Sequence, residues 1–70
     1  MERTAVQSRD IAIIGYDPAQ AILEIAFRSG SVYHYQKVPA ATYDAFIKAP
    51  SYGLYFRDHI RDQFASQKIS

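Results

Sequence analysis

Cysteine and tryptophan are absent from this 70-residue sequence, and it contains no long apolar run. Without cysteine the chain can form neither disulfides nor thiolate metal sites, which favours a reducing compartment such as the cytoplasm. No run approaches the roughly 20 residues that span a membrane, and the first residues lack the build of a signal peptide. The formal net charge of +1 is too small to indicate a polyanionic partner by itself. These absences predict a cytoplasmic protein without membrane contact.

Aromatic residues are abundant by comparison, with six tyrosines and four phenylalanines. A chain of this length folds as one domain and buries only about 60% of the surface that its unfolded form exposes. Its core must therefore come from a few bulky side chains, and aromatic rings bury the most area per residue. The composition predicts a small domain with an aromatic-rich core.

The segment around Gly30 has the pattern of a β-hairpin. Apolar residues alternate before it and tyrosines alternate after it, at the two-residue period of a half-buried strand. A two-residue loop would point the tyrosines away from the apolar face. A three-residue loop ending at a left-handed Gly30 would place Ile25 opposite Tyr33 and Leu23 opposite Tyr35 on one apolar face. Because a slip of one residue would scatter these side chains, the pattern selects the three-residue loop.

A first strand, rich in isoleucine, precedes a type I turn predicted at 17–20. Aspartate at the first turn position can accept bonds from the turn backbone, and proline at the second presets φ. This loop would pair Tyr16 with Ala21 and Ile14 with Leu23, which puts Ile14 and Tyr16 on the face of the central tyrosines. The opposite face of the sheet then carries the apolar residues Ile11, Ile13 and Ile22.

Two helices are predicted after the strands. Pro39 suits a first helical turn, so that one helix covers 40–49 and ends before Pro50. Ser51 is a natural N-cap for a second helix that runs to about Ser66. Apolar side chains recur at helical spacing in both segments: Tyr43, Phe46 and Ile47 in the first, and Tyr52, Phe56, Ile60 and Phe64 in the second.

Together these elements predict an α+β fold, a three-stranded antiparallel meander followed by two helices packed on one face (βββαα). Residues 1–9 are polar and lack periodicity, and so we expect a flexible N-terminal lead-in. Residues 10–70 are expected to form a single domain.

Several short motifs recur in a characteristic order: Gly15-Tyr16-Asp17, Leu23-x-Ile25-x-Phe27, Gly30, Tyr33-x-Tyr35, Val38-Pro39, Ser51-x-Gly53-x-Tyr55-Phe56 and Ile60-Arg61. In this order and spacing, over residues 10–64, the chain resembles the KTSC domain family. That family is named for the C-terminus of some lysyl-tRNA synthetases and also occurs as small stand-alone bacterial proteins. The resemblance implies a small binding domain, with RNA suggested as ligand by the synthetase context. It implies no catalytic residues.

Seven side chains are candidates for ligand contact. Tyr33 and Tyr35 could offer a stacking platform for RNA bases, but their register under the helices favours a core role, with hydroxyls at the sheet edge. Basic side chains around the helices could contact phosphates, although Asp58 and Asp62 would offset their charge. The candidate ligand-binding residues are Tyr33, Tyr35, Lys48, Tyr52, Tyr55, Arg57 and Arg61.

Metal binding and catalysis are not expected. His34 and His59 are the only imidazoles, and no three or four donors stand at a recognised metal-ligand spacing. Ser51, His59 and an aspartate could be drawn as a triad, but Ser51 is explained as a helix cap. A domain this thin also leaves little room for a substrate cleft. We therefore expect no enzyme activity, no metal and no cofactor.

Two functions remain. The first is an RNA-binding module, for tRNA or single-stranded RNA. The alternative is a protein–protein interaction or self-association module without nucleic-acid binding, which would use the outer sheet face or an edge strand. The apolar residues predicted on that face motivate the alternative.

Overall fold

The computed structural model describes all 70 residues. It contains a five-stranded antiparallel sheet in the order β1-β2-β3-β4-β5, with two helices between the last two strands. The strands are β1 (Glu2–Ala5), β2 (Ile11–Asp17), β3 (Ile22–Phe27), β4 (Val32–Tyr35) and β5 (Ser66–Lys68), and the helices are α1 (Ala40–Ile47) and α2 (Tyr52–His59).

The α+β class, the antiparallel sheet and the two helices are confirmed, but the three-strand count is wrong. The two additional strands, β1 and β5, form the edges of the sheet. All their side chains are exposed, so neither strand has the alternation of apolar and polar residues that reveals a half-buried strand. Both edge strands are held by backbone hydrogen bonds to their neighbours, and the hydropathy of the sequence does not predict such strands. The N-terminal segment predicted as a flexible lead-in therefore contains a paired strand.

The hairpin around Gly30 has the predicted register. Ile25 lies opposite Tyr33, and Leu23 lies opposite Tyr35. The Phe27 amide donates to the Ser31 carbonyl at 2.8 Å, which closes a three-residue loop. Gly30 has a φ of +104°, a backbone conformation that residues with a Cβ rarely adopt.

The register of the first hairpin differs from the prediction by two residues. Tyr16 pairs with Leu23, because Asp17 remains in the strand and pairs with Ile22. The Asp17 carboxylate accepts from the Ala19 amide at 3.0 Å, as expected of a turn aspartate. Ala21 adopts a φ of +56°, and its carbonyl accepts from the Val38 amide at 2.8 Å. A shift of two residues preserves the faces, and so Tyr16 still faces the helices.

A β-bulge changes the start of β2. Ile11 pairs with Phe27 and Ile13 pairs with Ala26, so β2 has one more residue than β3 between these two pairs. The extra residue reverses the alternation, and Ile11 is fully buried in the core. The assignment of Ile11 to the outer face is therefore wrong. The apolar patch that motivated self-association is reduced to Ile13 and Ile22, both half-buried.

The helices begin where predicted, but α2 is shorter than expected. The Ser51 hydroxyl accepts from the Leu54 amide at 3.3 Å, which confirms Ser51 as the N-cap. The helix ends at His59, because Ile60 takes non-helical dihedrals (φ −123°, ψ −50°), and the chain then turns back to pair with β4. The predicted end near Ser66 is wrong, since Ser66 starts β5. Neither helix has the length or apolar character needed to cross a membrane.

The core lies between the helices and one face of the sheet. Tyr16 stacks on Tyr43 of α1 at a centroid distance of 4.7 Å, and its hydroxyl donates to the Val38 carbonyl at 2.6 Å. Phe46 of α1 contacts two rings of α2, Tyr52 and Tyr55. The buried apolar residues are Val6, Ile11, Ile14, Tyr16, Leu23, Ile25, Tyr35, Val38, Phe46 and Ile60.

The outer face carries a polar row that crosses four strands. Arg3 lies opposite Gly15, Gly15 opposite Glu24, and Glu24 opposite His34. A Cβ at Gly15 would lie 3.1 Å from Cγ of Arg3. Because glycine has no side chain, the Arg3 side chain can cross over Gly15 to reach Glu24. Arg3 Nε lies 2.5 Å from Oε2 of Glu24, and His34 Nε2 lies 2.8 Å from Oε1. Glu24, only 7% exposed, thus has a partner on each oxygen.

We expect Glu24 to make the protein sensitive to acid. The hydrogen bond from Arg3 and the neighbouring His34 lower the pKa of this carboxyl, against the opposing effect of burial. A lowered folded-state pKa contributes stability above the ordinary glutamate value of about 4.3, and that contribution is lost as the pH falls through the folded value. Glu24→Gln should therefore reduce the loss of stability between pH 7 and pH 3, measured by urea unfolding.

Glu2→Gln provides the matched control, since Glu2 is an exposed carboxylate on the edge strand β1, next to Arg3 in sequence. It should keep the acid dependence of the parent protein. Equal acid dependence in Glu24→Gln and the parent would show that the Arg3–Glu24–His34 row does not couple folding to pH.

Candidate functional site: an arginine-lined groove

An open groove of about 860 Å³ lies at the end of the sheet where β2 begins and β3 ends. One wall is the segment 7–10 together with Arg28 and Ser29, and the other wall is α2 with Arg61 beyond it. Residues 50 and 51, which precede α2, also line the groove. Its lining therefore comes from three parts of the chain that are far apart in sequence, and only the tertiary fold brings them together.

The charge of this groove is strongly positive for a protein of net charge +1. Four arginines line it, Arg9, Arg28, Arg57 and Arg61, against the single carboxylate of Asp10. Half of the eight Lys and Arg residues of the chain are thus gathered on one concave surface. Such clustering raises the local concentration of anions even where the total charge is small.

Arg28 has mainly a structural role, because its guanidinium group is hydrogen-bonded to backbone carbonyls of the neighbouring segment. Its Nε donates to the Ser8 carbonyl at 2.6 Å, and its Nη2 donates to the Val6 carbonyl at 3.0 Å. The Arg28 amide also donates to the Asp10 carbonyl at 2.8 Å. These bonds hold the segment that connects β1 to β2 against the end of β3 and so fix the position of Arg9.

The opposite wall presents Arg57 and Arg61, four residues apart. Arg57 Nε lies 2.9 Å from the Asp58 carboxylate, and Arg61 Nε lies 3.9 Å from that of Asp62. The hydrogen bond from Arg57 lowers the pKa of Asp58. The two aspartates therefore offset part of the charge, as expected from the sequence. Both arginine side chains are more than half exposed, which leaves their remaining donors open to a ligand.

The groove has an apolar, partly aromatic floor. Phe27 and Phe56 meet edge to face at a centroid distance of 5.5 Å, and both are half-buried above the fully buried Ile11. Tyr52 also lines the groove. A ligand in this groove would meet guanidinium groups along the rim and aromatic surface below them.

The structure brings together three of the seven predicted contact residues. Tyr52, Arg57 and Arg61 line the groove, whereas Tyr33, Tyr35, Lys48 and Tyr55 do not. The Tyr35 ring is only 4% exposed and meets Phe56 edge to face, so no base can stack on it. Burial raises the pKa of the Tyr35 hydroxyl. Tyr33 is half-buried and packs against the core, so both strand tyrosines contribute to the packing under the helices.

The other two predicted residues lie on separate surfaces. Lys48 ends α1, 3.8 Å from Asp44, where it forms an i, i+4 pair. Tyr55 stacks on Phe46 at 5.5 Å and contacts the His59 ring at 4.5 Å. No three His, Asp or Glu side chains are close enough together to hold a metal ion.

Arg9 and Arg28 were not identified from the sequence, although a signal was present. One precedes β2 and the other follows β3, so antiparallel pairing of these strands brings both to one end of the hairpin. The position of α2 beside that end depends on packing that no local pattern specifies.

Comparison with known proteins identifies the family of this chain. The KTSC domain profile matches residues 7–64. A crystal structure of a KTSC domain protein from Yersinia pestis superposes with a TM-score of 0.95, at 39% identity, and the match covers 99% of this chain and 97% of that one.

Two relatives show the contexts in which similar sequences occur. An uncharacterized protein of Stutzerimonas stutzeri is 41% identical over 63 residues, which cover 90% of this chain and 89% of that protein. A lysine–tRNA ligase of Nostoc is 40% identical over 55 residues, which cover 79% of this chain but only 10% of the ligase. Similar sequences thus occur both as a whole small protein and as a short segment of a much longer enzyme. The profile match over most of the chain, together with the close structural agreement, shows that this protein belongs to the KTSC domain family.

Proposed function

We propose that this protein is an RNA-binding module, without enzyme activity of its own, and that the arginine-lined groove is its binding surface. The observation that carries the proposal is the grouping of four arginines around an aromatic floor. Phosphate contacts from arginine supply most of the affinity of nucleic-acid binding, while aromatic and guanidinium planes stack on exposed bases.

The relationship to lysine–tRNA ligases supports RNA as the ligand class. In the Nostoc enzyme the related segment is part of a protein whose name specifies tRNA. A segment of about one tenth of that enzyme is too small to account for aminoacylation, whereas an accessory contact to RNA needs only a small charged surface. The same contact is the function proposed for this domain, with tRNA as the first ligand to test.

We expect Arg61→Ala to weaken RNA binding about threefold to tenfold at low salt. Each phosphate contact that is lost should also flatten the dependence of log K on log salt by about 0.7 to 1 unit. Fluorescence anisotropy with labelled tRNA and a labelled single-stranded RNA, each over a salt series, measures both quantities. Arg61 is exposed and fully outside the core, so the variant should fold normally.

Lys68→Ala is the matched control, because it removes one positive charge from an exposed residue of β5 outside the groove. It should leave the affinity and the salt dependence nearly unchanged. Equal losses in the two variants would mean that total charge matters and the groove does not. Absence of binding by the parent protein at low salt would remove RNA as its ligand.

A further inference from the structure

The three glycines of the chain differ in what their positions require. Gly15 is crowded, since a Cβ there would lie 3.1 Å from the side chains of Arg3 and Met1, and Gly30 has a left-handed φ of +104°. Gly53 has neither property: its φ is ordinary, and a Cβ would meet no atom within 4 Å. The fold thus explains the first two glycines. It does not explain Gly53, which lies within a helix, where glycine is unfavourable relative to alanine.

Gly53 lines the groove, one helical turn before Arg57 of the same helix. Residues four apart share one face of a helix, and so Gly53 and Arg57 lie on the same face of α2, with Arg61 beyond the end of the helix. The neighbouring row holds Tyr52, Phe56 and the buried Ile60. The missing side chain therefore leaves open space in the groove itself, beside the aromatic floor.

We infer that the groove accepts RNA as a single strand, whose sugar–phosphate chain passes over Gly53 while a base lies against the Phe27–Phe56 floor. This inference rests on the proposed function and specifies its ligand. A single strand can offer phosphates to the arginine rim and a base to the floor at once, because its bases can be splayed out. A duplex keeps its bases paired and stacked, so it can offer only its backbone.

The size of the molecule also favours a single strand. Its longest dimension is 28 Å, whereas domains that recognise double-stranded RNA by shape contact about 16 base pairs over two successive minor grooves. The groove volume of about 860 Å³ lies within the range of pockets that enclose a ligand of small-molecule size. That is enough for a short stretch of nucleotides.

The test compares Gly53→Leu with the parent protein, using a labelled single-stranded RNA and a duplex of the same sequence. We expect the parent to bind the single strand at least tenfold more tightly than the duplex. Gly53→Leu should weaken single-strand binding at least tenfold without lowering Tm, because leucine favours helix and meets no clash at Cβ. Ala45→Leu, on the exposed surface of α1, adds the same bulk outside the groove and should bind like the parent.

The outcomes separate this inference from the proposed function. One result that would overturn the inference is RNA binding that Arg61→Ala weakens but Gly53→Leu leaves unchanged. Equal affinity for duplex and single strand would also overturn it. Both results would leave the RNA-binding proposal intact. No binding of any RNA by the parent would overturn both. Should Gly53→Leu lower Tm, Gly53→Ala serves instead: Tm should rise and single-strand affinity should fall about threefold, and unchanged affinity would overturn the inference.

Discussion

Replacing Phe46 by alanine is expected to destabilise the protein by about 3–5 kcal/mol, the range observed when a buried phenylalanine is truncated. Phe46 is fully buried and lies edge to face with Tyr52 at 6.1 Å and stacked on Tyr55 at 5.5 Å. No residue of α2 is itself fully buried. The contacts with Phe46 therefore hold much of α2 in place, and the groove wall with it.

Urea unfolding followed by far-UV circular dichroism measures the loss. A 70-residue domain has a total stability of roughly 4–10 kcal/mol, so a substantial unfolded fraction in Phe46→Ala without denaturant would agree with the expectation. Leu54→Ala is the control, because Leu54 is 53% exposed and its loss should change stability by less than about 0.5 kcal/mol. A change below about 1 kcal/mol in Phe46→Ala would contradict the role assigned to this ring.

Tyr16→Phe is expected to cost about 1–3 kcal/mol, although it removes a single oxygen atom. The Tyr16 hydroxyl donates to the buried Val38 carbonyl at 2.6 Å. Removal of the donor leaves that carbonyl to bear its desolvation cost without compensation. Val38 also donates its amide to the Ala21 carbonyl, so the first hairpin holds both polar groups of this residue at the point where the chain leaves the sheet for α1.

Tyr43→Phe is a closely matched control for this effect. The Tyr43 ring stacks on Tyr16 with an angle of 7° between the planes, and phenylalanine would preserve that stack. The midpoint of thermal or urea unfolding should fall for Tyr16→Phe and change little for Tyr43→Phe. Similar midpoints for the two variants would show that ring packing, and not the hydrogen bond to Val38, fixes the exit from the sheet.

The sequence predicted the faces of the strands more reliably than their registers. Period-2 alternation determines whether a side chain faces the helices, and it placed Ile14 and Tyr16 correctly. It cannot distinguish registers that differ by two residues, so the first hairpin was misaligned while its faces were right. The second hairpin was predicted correctly because Gly30 adds a stereochemical requirement that only one loop length satisfies.

The candidate site could be predicted only in part, for a related reason. Arg57 and Arg61 stand four residues apart in the predicted second helix, so the sequence placed them on one surface, although Arg61 lies beyond the end of α2. Arg9 and Arg28 join them only because a bulged strand, a hairpin end and the N-terminus of α2 meet in space. Tyr35 was a candidate because the sequence allowed both a core and a contact role, and the packing of Phe56 against its ring leaves it in the core.

The polar row and the groove lie on different parts of the molecule but share one segment of chain. Arg3 ties β1 to the sheet through Glu24, and Arg28 ties the following loop through the carbonyls of Val6 and Ser8. With the N-terminal segment attached at these points, residues 7–10 form part of one wall of the groove. A segment without any hydrophobic pattern therefore contributes directly to the candidate binding surface.

The character of β1 and β5 bears on how the protein avoids aggregation. An open sheet exposes unpaired backbone groups at each edge, and long apolar edges recruit further strands from other molecules. Here the edges are only four and three residues long, with exposed side chains that include Glu2, Arg3 and Lys68. Short, charged edges are poor templates for fibril growth. The most aggregation-prone segment, the isoleucine-rich β2, is shielded from other molecules because β1 and β3 pair with it on both sides.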